Sequence, residues 1–205
     1  MVTENKLLQQ QALESLKGKW GLAIGTFLVY WLIIGAVSCV PFLGGVITLF
    51  IGGAFALGLA VFALSISREE EAKLEQIFQG FSNYGTSLAA YLLVLIFTFL
   101  WSLLLIVPGI IAAISYSMTF YIIADEPAIS AMDAINKSKK MMYGYKMKYF
   151  CLSLRFLGWA LLCILTLGIG FLWLMPYIQV TFAKFYDDLK AANTEKVVVE
   201  TTEQV

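Results

Sequence analysis

SLAAYLLVLIFTFLWSLLLIVPGIIAAISYSMTFYIIA, residues 87–124, carries no charged residue and is interrupted only once, at Pro108-Gly109. An α-helix crosses a bilayer in roughly 20 apolar residues, so the stretch is long enough for two crossings. It reads as a helical hairpin with spans near 87–107 and 109–124 and Pro108-Gly109 as the turn. Backbone groups freed at such a break are hydrated if it lies at the outer surface.

The same pattern recurs on both sides. Trp20 to Ser67 is uncharged and broken by Pro41 and the Gly44-Gly45 pair. Phe156 to Ala183 is uncharged and broken at Gly168 and Gly170. With its amphipathic ends this last run extends over 149–186, enough for two spans if Arg155 sits near an interface. The expected fold is therefore all-α, a polytopic membrane protein. A helix over 1–20 precedes a six-helix domain over 21–186, with hairpins at 21–67, 87–124 and 149–186, and a polar tail over 187–205 follows.

Composition agrees. Hydrophobic residues make up 60% of the 205, charged residues 14%, and the mean hydropathy is +0.81, whereas about a quarter of an average soluble domain is charged. Fourteen basic residues balance fourteen acidic ones, so no global field would attract nucleic acid. Placement matters more than sum. Lys6, Lys17 and Lys19 precede the first hairpin, and Arg68 and Lys73 separate it from the second. Lys137, Lys139, Lys140, Lys146, Lys148 and Arg155 separate the second from the third, and Lys184, Lys190 and Lys196 close the chain. The hairpin tips carry none, so the positive-inside rule puts both termini and both long loops in the cytoplasm and requires an even number of spans. Some twenty polar or amphipathic residues precede the first apolar run, which is span-length, so the N-terminus reads as a retained anchor rather than a cleavable signal.

Amphipathic segments lead into each hairpin. Leu8, Ala12, Leu16 and Trp20 share one helical face, as do Leu74, Ile77, Phe78 and Phe81. Glu126-Pro127 offers an N-cap and first-turn proline for a third such helix through Ile129, Met132 and Ile135. All three are expected to lie on the inner leaflet. The turn glycines 45, 109 and 170 are 64 and 61 residues apart, which predicts a parallel threefold repeat. Gly52, Gly53, Ala56 and Gly58 form a small-residue packing seam.

The segments ALESLKGKW, IFQGF, LWSLLLIVPGIIAAISYSMTFYIIADEP, SAMDAINKSKKMMYGYKMKYF and LTLGIGFLWLMPY follow one another along the chain. In that order they resemble the bacterial integral-membrane family called domain of unknown function 975. The most specific parts are Pro108-Gly109 with Tyr116 and Asp125, and the run Ser138 to Gly144. The resemblance implies a six-span plasma-membrane protein and supplies no activity, ligand or catalytic residue.

Catalytic signals are missing from the sequence. There is no His, no HExxH, GxSxG or GxxxxGK motif, and no acid or base within a span to activate a hydroxyl. No enzyme activity and no cofactor are expected. Cys39, Cys151 and Cys163 are odd in number and lack CxxC spacing, so they read as packing residues. Two sets of residues remain. Lys137, Lys139, Lys140, Lys146 and Lys148 lie within twelve positions beside Met and Tyr, and each Lys near an anionic leaflet gains about 1 kcal/mol. They are candidate headgroup contacts as well as topology signals. Ser102, Ser115, Tyr116, Ser117, Thr119, Tyr177, Gln179 and Thr181 are a candidate polar path, or else packing groups bonded to helix backbone. The leading expectation is a non-enzymatic protein acting through membrane lipids or a membrane-protein partner, in an accessory, envelope-stress or membrane-protective role. The alternative is a small transporter or channel, favoured if the polar set lines one cavity.

Overall fold

The structure is a computed structural model that describes residues 3–41 and 43–203, with side chains through Thr194. Helices α1 (Asn5–Leu16), α2 (Trp20–Ser38) and α3 (Gly44–Ser67) are followed by a 3-10 helix (Leu74–Phe81). Then come α4 (Tyr84–Leu104), α5 (Ile106–Tyr116), α6 (Thr119–Asp125), α7 (Ala131–Met141), α8 (Lys146–Leu165) and α9 (Phe171–Glu203). Among the described residues there is no strand. Among the described residues, five helices are long and apolar enough to cross a membrane: α2, α3, α4, the Ile106–Asp125 unit made of α5 and α6, and α8.

Several expectations need correction. The reversal between α4 and α5 falls at Leu105, whose backbone is extended (φ −163°, ψ 149°). Pro108 and Gly109 instead sit in the first turn of α5, where proline's missing N–H costs nothing. Gly109 is needed for close approach, since a methyl group there would fall on the Ser102 side chain of α4. The cap of α7 is Ser130, whose side chain accepts from the Asp133 amide at 3.2 Å; Glu126 closes α6. The apolar face of α1 is covered by protein rather than left for lipid: Leu8, Ala12 and Leu16 are fully buried, packed beneath α9 and α3. The second amphipathic segment is a 3-10 helix, not an α-helix. Residues 187–203 continue α9 instead of forming a separate tail, because Asp187, Asp188 and Lys190 have partners on other elements; residues 204–205 lie outside the described residues.

The small-residue seam is internal. A methyl group on Gly58 would land on the Ile77 carbonyl, one on Gly80 on the Ala54 carbonyl, and one on Gly53 would come within 2.5 Å of the Ser87 carbonyl. These glycines let α3 lie backbone to backbone against the 3-10 helix and the start of α4. Gly18 (φ +81°) and Gly144 (φ +84°) each stand two residues ahead of the next long helix, α2 and α8. They take the left-handed conformation that only Gly adopts without cost.

Three polar contacts tie the start of a long helix to the helix that follows it. Lys19, before α2, donates to the carbonyl of Glu70 beyond α3 at 3.1 Å. Asn83, before α4, donates to the carbonyl of Pro127 beyond α6 at 2.8 Å. Lys148, in the first turn of α8, lies 3.5 Å from Asp188 of α9. The main core, with Leu57, Leu64, Met118, Ile122, Phe185 and Tyr186, lies among α3, α6 and α9.

Candidate functional site

The Ile106–Asp125 unit is broken at Ser117-Met118, between α5 and α6. Ser138 of α7, fully buried, fills the gap: its hydroxyl donates to the Ser115 carbonyl at 2.8 Å and accepts from the Met118 amide at 3.2 Å. A helix can be interrupted in apolar surroundings only where a neighbour satisfies the freed groups in this way.

Beside the break lies a cavity of about 400 Å³. Ser117, Phe120 and Tyr121 form one wall, Tyr30 and Ile34 of α2 and Thr48, Gly52 and Ala56 of α3 another, and Tyr91, Tyr149, Gln179 and Phe182 contribute with the apolar Leu59, Ala60 and Ile178. The expected polar path is thus divided, for only Ser117 and Gln179 reach this cavity. Ser115, Ser117, Thr119 and Thr181 donate to carbonyls of the preceding turn of their own chain segment, at 2.6–2.8 Å. Ser102 packs on Gly109, Tyr116 lies near Phe97, and Tyr177 meets Phe156 edge-on at 5.3 Å. The residues missed in the sequence are Tyr30, Thr48, Tyr91, Tyr121 and Tyr149. A signal existed for Tyr30 and Tyr91, which lie inside uncharged runs rather than at the ends, where interfacial tyrosines collect.

The five lysines also separate. Lys137 pairs with Glu126, and Lys148 pairs with Asp188 and donates to the Thr3 carbonyl. Lys139, Lys140 and Lys146 have no ion-pair or hydrogen-bond partner among the described residues. Lys139 and Lys146 line a groove of about 280 Å³ whose remaining wall is Trp101, Pro108, Ile111, Ala112, Ser115 and Tyr116. Two cationic heads therefore stand on an otherwise largely apolar channel along α5. Arg155 is exposed, 3.5 Å from Gln9.

A third constellation is ionic. Asp125, its side chain 8% exposed, accepts from Arg68 at 2.7 Å and from the Tyr186 hydroxyl at 3.0 Å, and pairs with Lys190. Arg68 also bonds Asp187 at 2.7 Å. The Asp125 carboxylate bonded to Arg68, with Asp187 beside it, pushes the guanidinium pKa further above its already high value, against the opposing effect of burial. Asp188 holds Thr3 through both carboxylate oxygens, at 2.7 and 2.8 Å. Every member has an intramolecular partner, so the network is a clasp joining α3, α6, α9 and the N-terminus. Among the described residues no group of His, Cys, Asp or Glu is arranged to hold a metal ion, and the three cysteines are unpaired.

The family described as "Protein of unknown function (DUF975)" matches the chain over residues 1–115 and 103–193. The chain belongs to this family. No curated protein and no solved structure matches it.

The segments that carry the family resemblance have distinct places in the fold. Gly109 sets the α4–α5 approach, Tyr116 lines the groove, and Asp125 centres the clasp. Ser138 seals the helix break, and Gly144 turns the chain into α8.

Proposed function

We propose that this DUF975 member is a six-span integral protein of the bacterial plasma membrane, with both ends cytoplasmic, that acts without catalysis by holding anionic lipid. Three observations support the membrane arrangement: the five membrane-length helices, the broad exposure of large apolar side chains such as Leu103, Ile106, Leu165 and Leu167, and the contacts between successive long helices. Lys19–Glu70 and Asn83–Pro127 each tie the start of one long helix to the end of its successor, and Lys148–Asp188 ties the start of α8 to the middle of α9, as expected of three hairpins with a common base. The sixth crossing in this arrangement is the apolar start of α9, residues 171–183, which is shorter than the other five spans.

The lipid reading rests on the groove beneath Lys139 and Lys146. An acyl chain gains contact along Ala112, Ile111, Pro108 and Trp101, while the phosphate meets two lysines that no carboxylate among the described residues neutralises. At about 1 kcal/mol for each Lys near an anionic surface, two lysines give a preference of roughly 2 kcal/mol before salt screening. The test is native mass spectrometry of wild type and Lys139→Gln/Lys146→Gln. Loss of co-purified anionic lipid from the variant supports the proposal, and equal retention refutes it.

A further inference from the structure

The cavity beside the Ser117-Met118 break shares no lining residue with the lipid groove, and its chemistry differs. We propose that it is a binding site for an uncharged, planar or aromatic small molecule carrying hydrogen-bonding groups.

Three of the polar groups lining it make no hydrogen bond among the described residues. Tyr121 donates its hydroxyl to the Gln179 side-chain oxygen at 2.9 Å, which fixes the amide and leaves the Gln179 nitrogen without a hydrogen bond. The hydroxyls of Tyr30 and Tyr91 likewise bond nothing among the described residues. These groups come from α9, α2 and α4 yet face one space. All three residues are half-buried and line the open cavity, so these groups are available to bond a molecule held there, as the few polar groups of a small-molecule site do. A volume of about 400 Å³ falls in the range of small-molecule sites.

The shape of the walls narrows the class. Six aromatic rings, those of Tyr30, Tyr91, Phe120, Tyr121, Tyr149 and Phe182, line the space, which suits a flat apolar body held by stacked and edge-on contacts. Gly52 admits the Tyr91 ring, since a methyl group at position 52 would come within 3.0 Å of it. No charged side chain lines the cavity. A charged ligand would lose its hydration with no counter-charge to replace it; ring faces return to a desolvated cation less than an ion loses on leaving water. The site therefore selects neutral molecules.

The test uses full-length protein in lipid nanodiscs, with empty nanodiscs as the background, and three probes that share one ring system: 2-naphthol, 2-naphthalenesulfonate and 2-naphthyltrimethylammonium. Equilibrium dialysis at neutral pH should show saturable binding of 2-naphthol at one site per chain, and binding of both charged probes at least tenfold weaker. Ala56→Phe, which fills the cavity, should abolish the saturable component. Gln179→Leu and Tyr91→Phe should each weaken it severalfold, and they keep the test decisive if Ala56→Phe does not fold. The proposal is overturned if 2-naphthol binds no more than to empty nanodiscs, if a charged probe binds as well, or if folded Ala56→Phe or both polar variants bind like wild type. Occupation of the cavity by water alone would appear as the first of these results.

Discussion

The hydroxyl of Ser138 stands 2.8 Å from the carbonyl oxygen of Ser115 and bridges to the amide of Met118, so a residue of α7 completes a helix to which it does not belong. Replacing Ser138 with Ala leaves a buried carbonyl and a buried amide without these partners. At about 1–3 kcal/mol for each unsatisfied buried group, offset where water enters, the variant should lose roughly 2 kcal/mol. A lowered midpoint of thermal unfolding in detergent, with faster hydrogen exchange at Met118, is expected. Wild-type values for both would contradict the role.

Gly58→Ala and Gly80→Ala should be far more damaging than their chemistry suggests. Each added methyl group meets a backbone carbonyl that has no rotamer in which to retreat, and overpacking of this kind costs about 1–3 kcal/mol or more. Gly21→Ala, which meets nothing within 4 Å, is the matched control and should gain slightly in stability from helix propensity. Yield of monodisperse protein after extraction ranks the three variants, and the order fails if Gly21→Ala is the worst.

Asp125→Asn should destabilise the clasp at the ends of α3, α6 and α9. Removing the charge leaves Arg68 and Lys190 facing a neutral side chain. For a pair only partly buried, with Arg68 31% exposed, a loss on the order of 2 kcal/mol is expected, below the range for fully buried pairs. A double-mutant cycle with Arg68→Gln should show the two losses to be non-additive. Full additivity would mean that the two side chains do not interact.

Much of this fold was legible along the chain. Uncharged runs marked the positions of α2, α3, α4, the α5–α6 unit and α8, because composition and hydropathy act locally. What escaped was non-local. Asp187 and Asp188 read as the start of a tail because their partners, Arg68 and Thr3, lie 119 and 185 residues away. The faces of α1 read as lipid-facing because the period of 3.6 shows that a face is apolar without showing what covers it. Pro108-Gly109 read as the turn because a first-turn proline and a turn proline look alike in sequence. Of the candidate polar path, Ser117 and Gln179 share a cavity, but that depends on how the α5–α6 break packs near α9, which no spacing encodes.

The lysines of the basic run should fall into two classes. Lys137→Gln and Lys148→Gln break intramolecular pairs with Glu126 and Asp188 and should lower thermal stability modestly, by about 0.5–1 kcal/mol for partly exposed pairs. Lys139→Gln and Lys140→Gln remove no such contact and should leave stability unchanged. Equal stability loss across all four variants would show that the division is not real.

Trp101 lines the groove beneath Lys139 and Lys146, so its fluorescence reports on the lipid held there. The chain has five tryptophans; a variant with Trp20, Trp31, Trp159 and Trp173 replaced by Phe isolates the one in the groove. Reconstituted with lipids brominated in the acyl chain, this variant should be quenched more strongly by anionic phosphatidylglycerol than by zwitterionic phosphatidylcholine at equal mole fraction. Adding Lys139→Gln/Lys146→Gln should erase the difference. Equal quenching by the two lipids, or a preference for the anionic lipid that survives loss of both lysines, would contradict lipid binding at this groove.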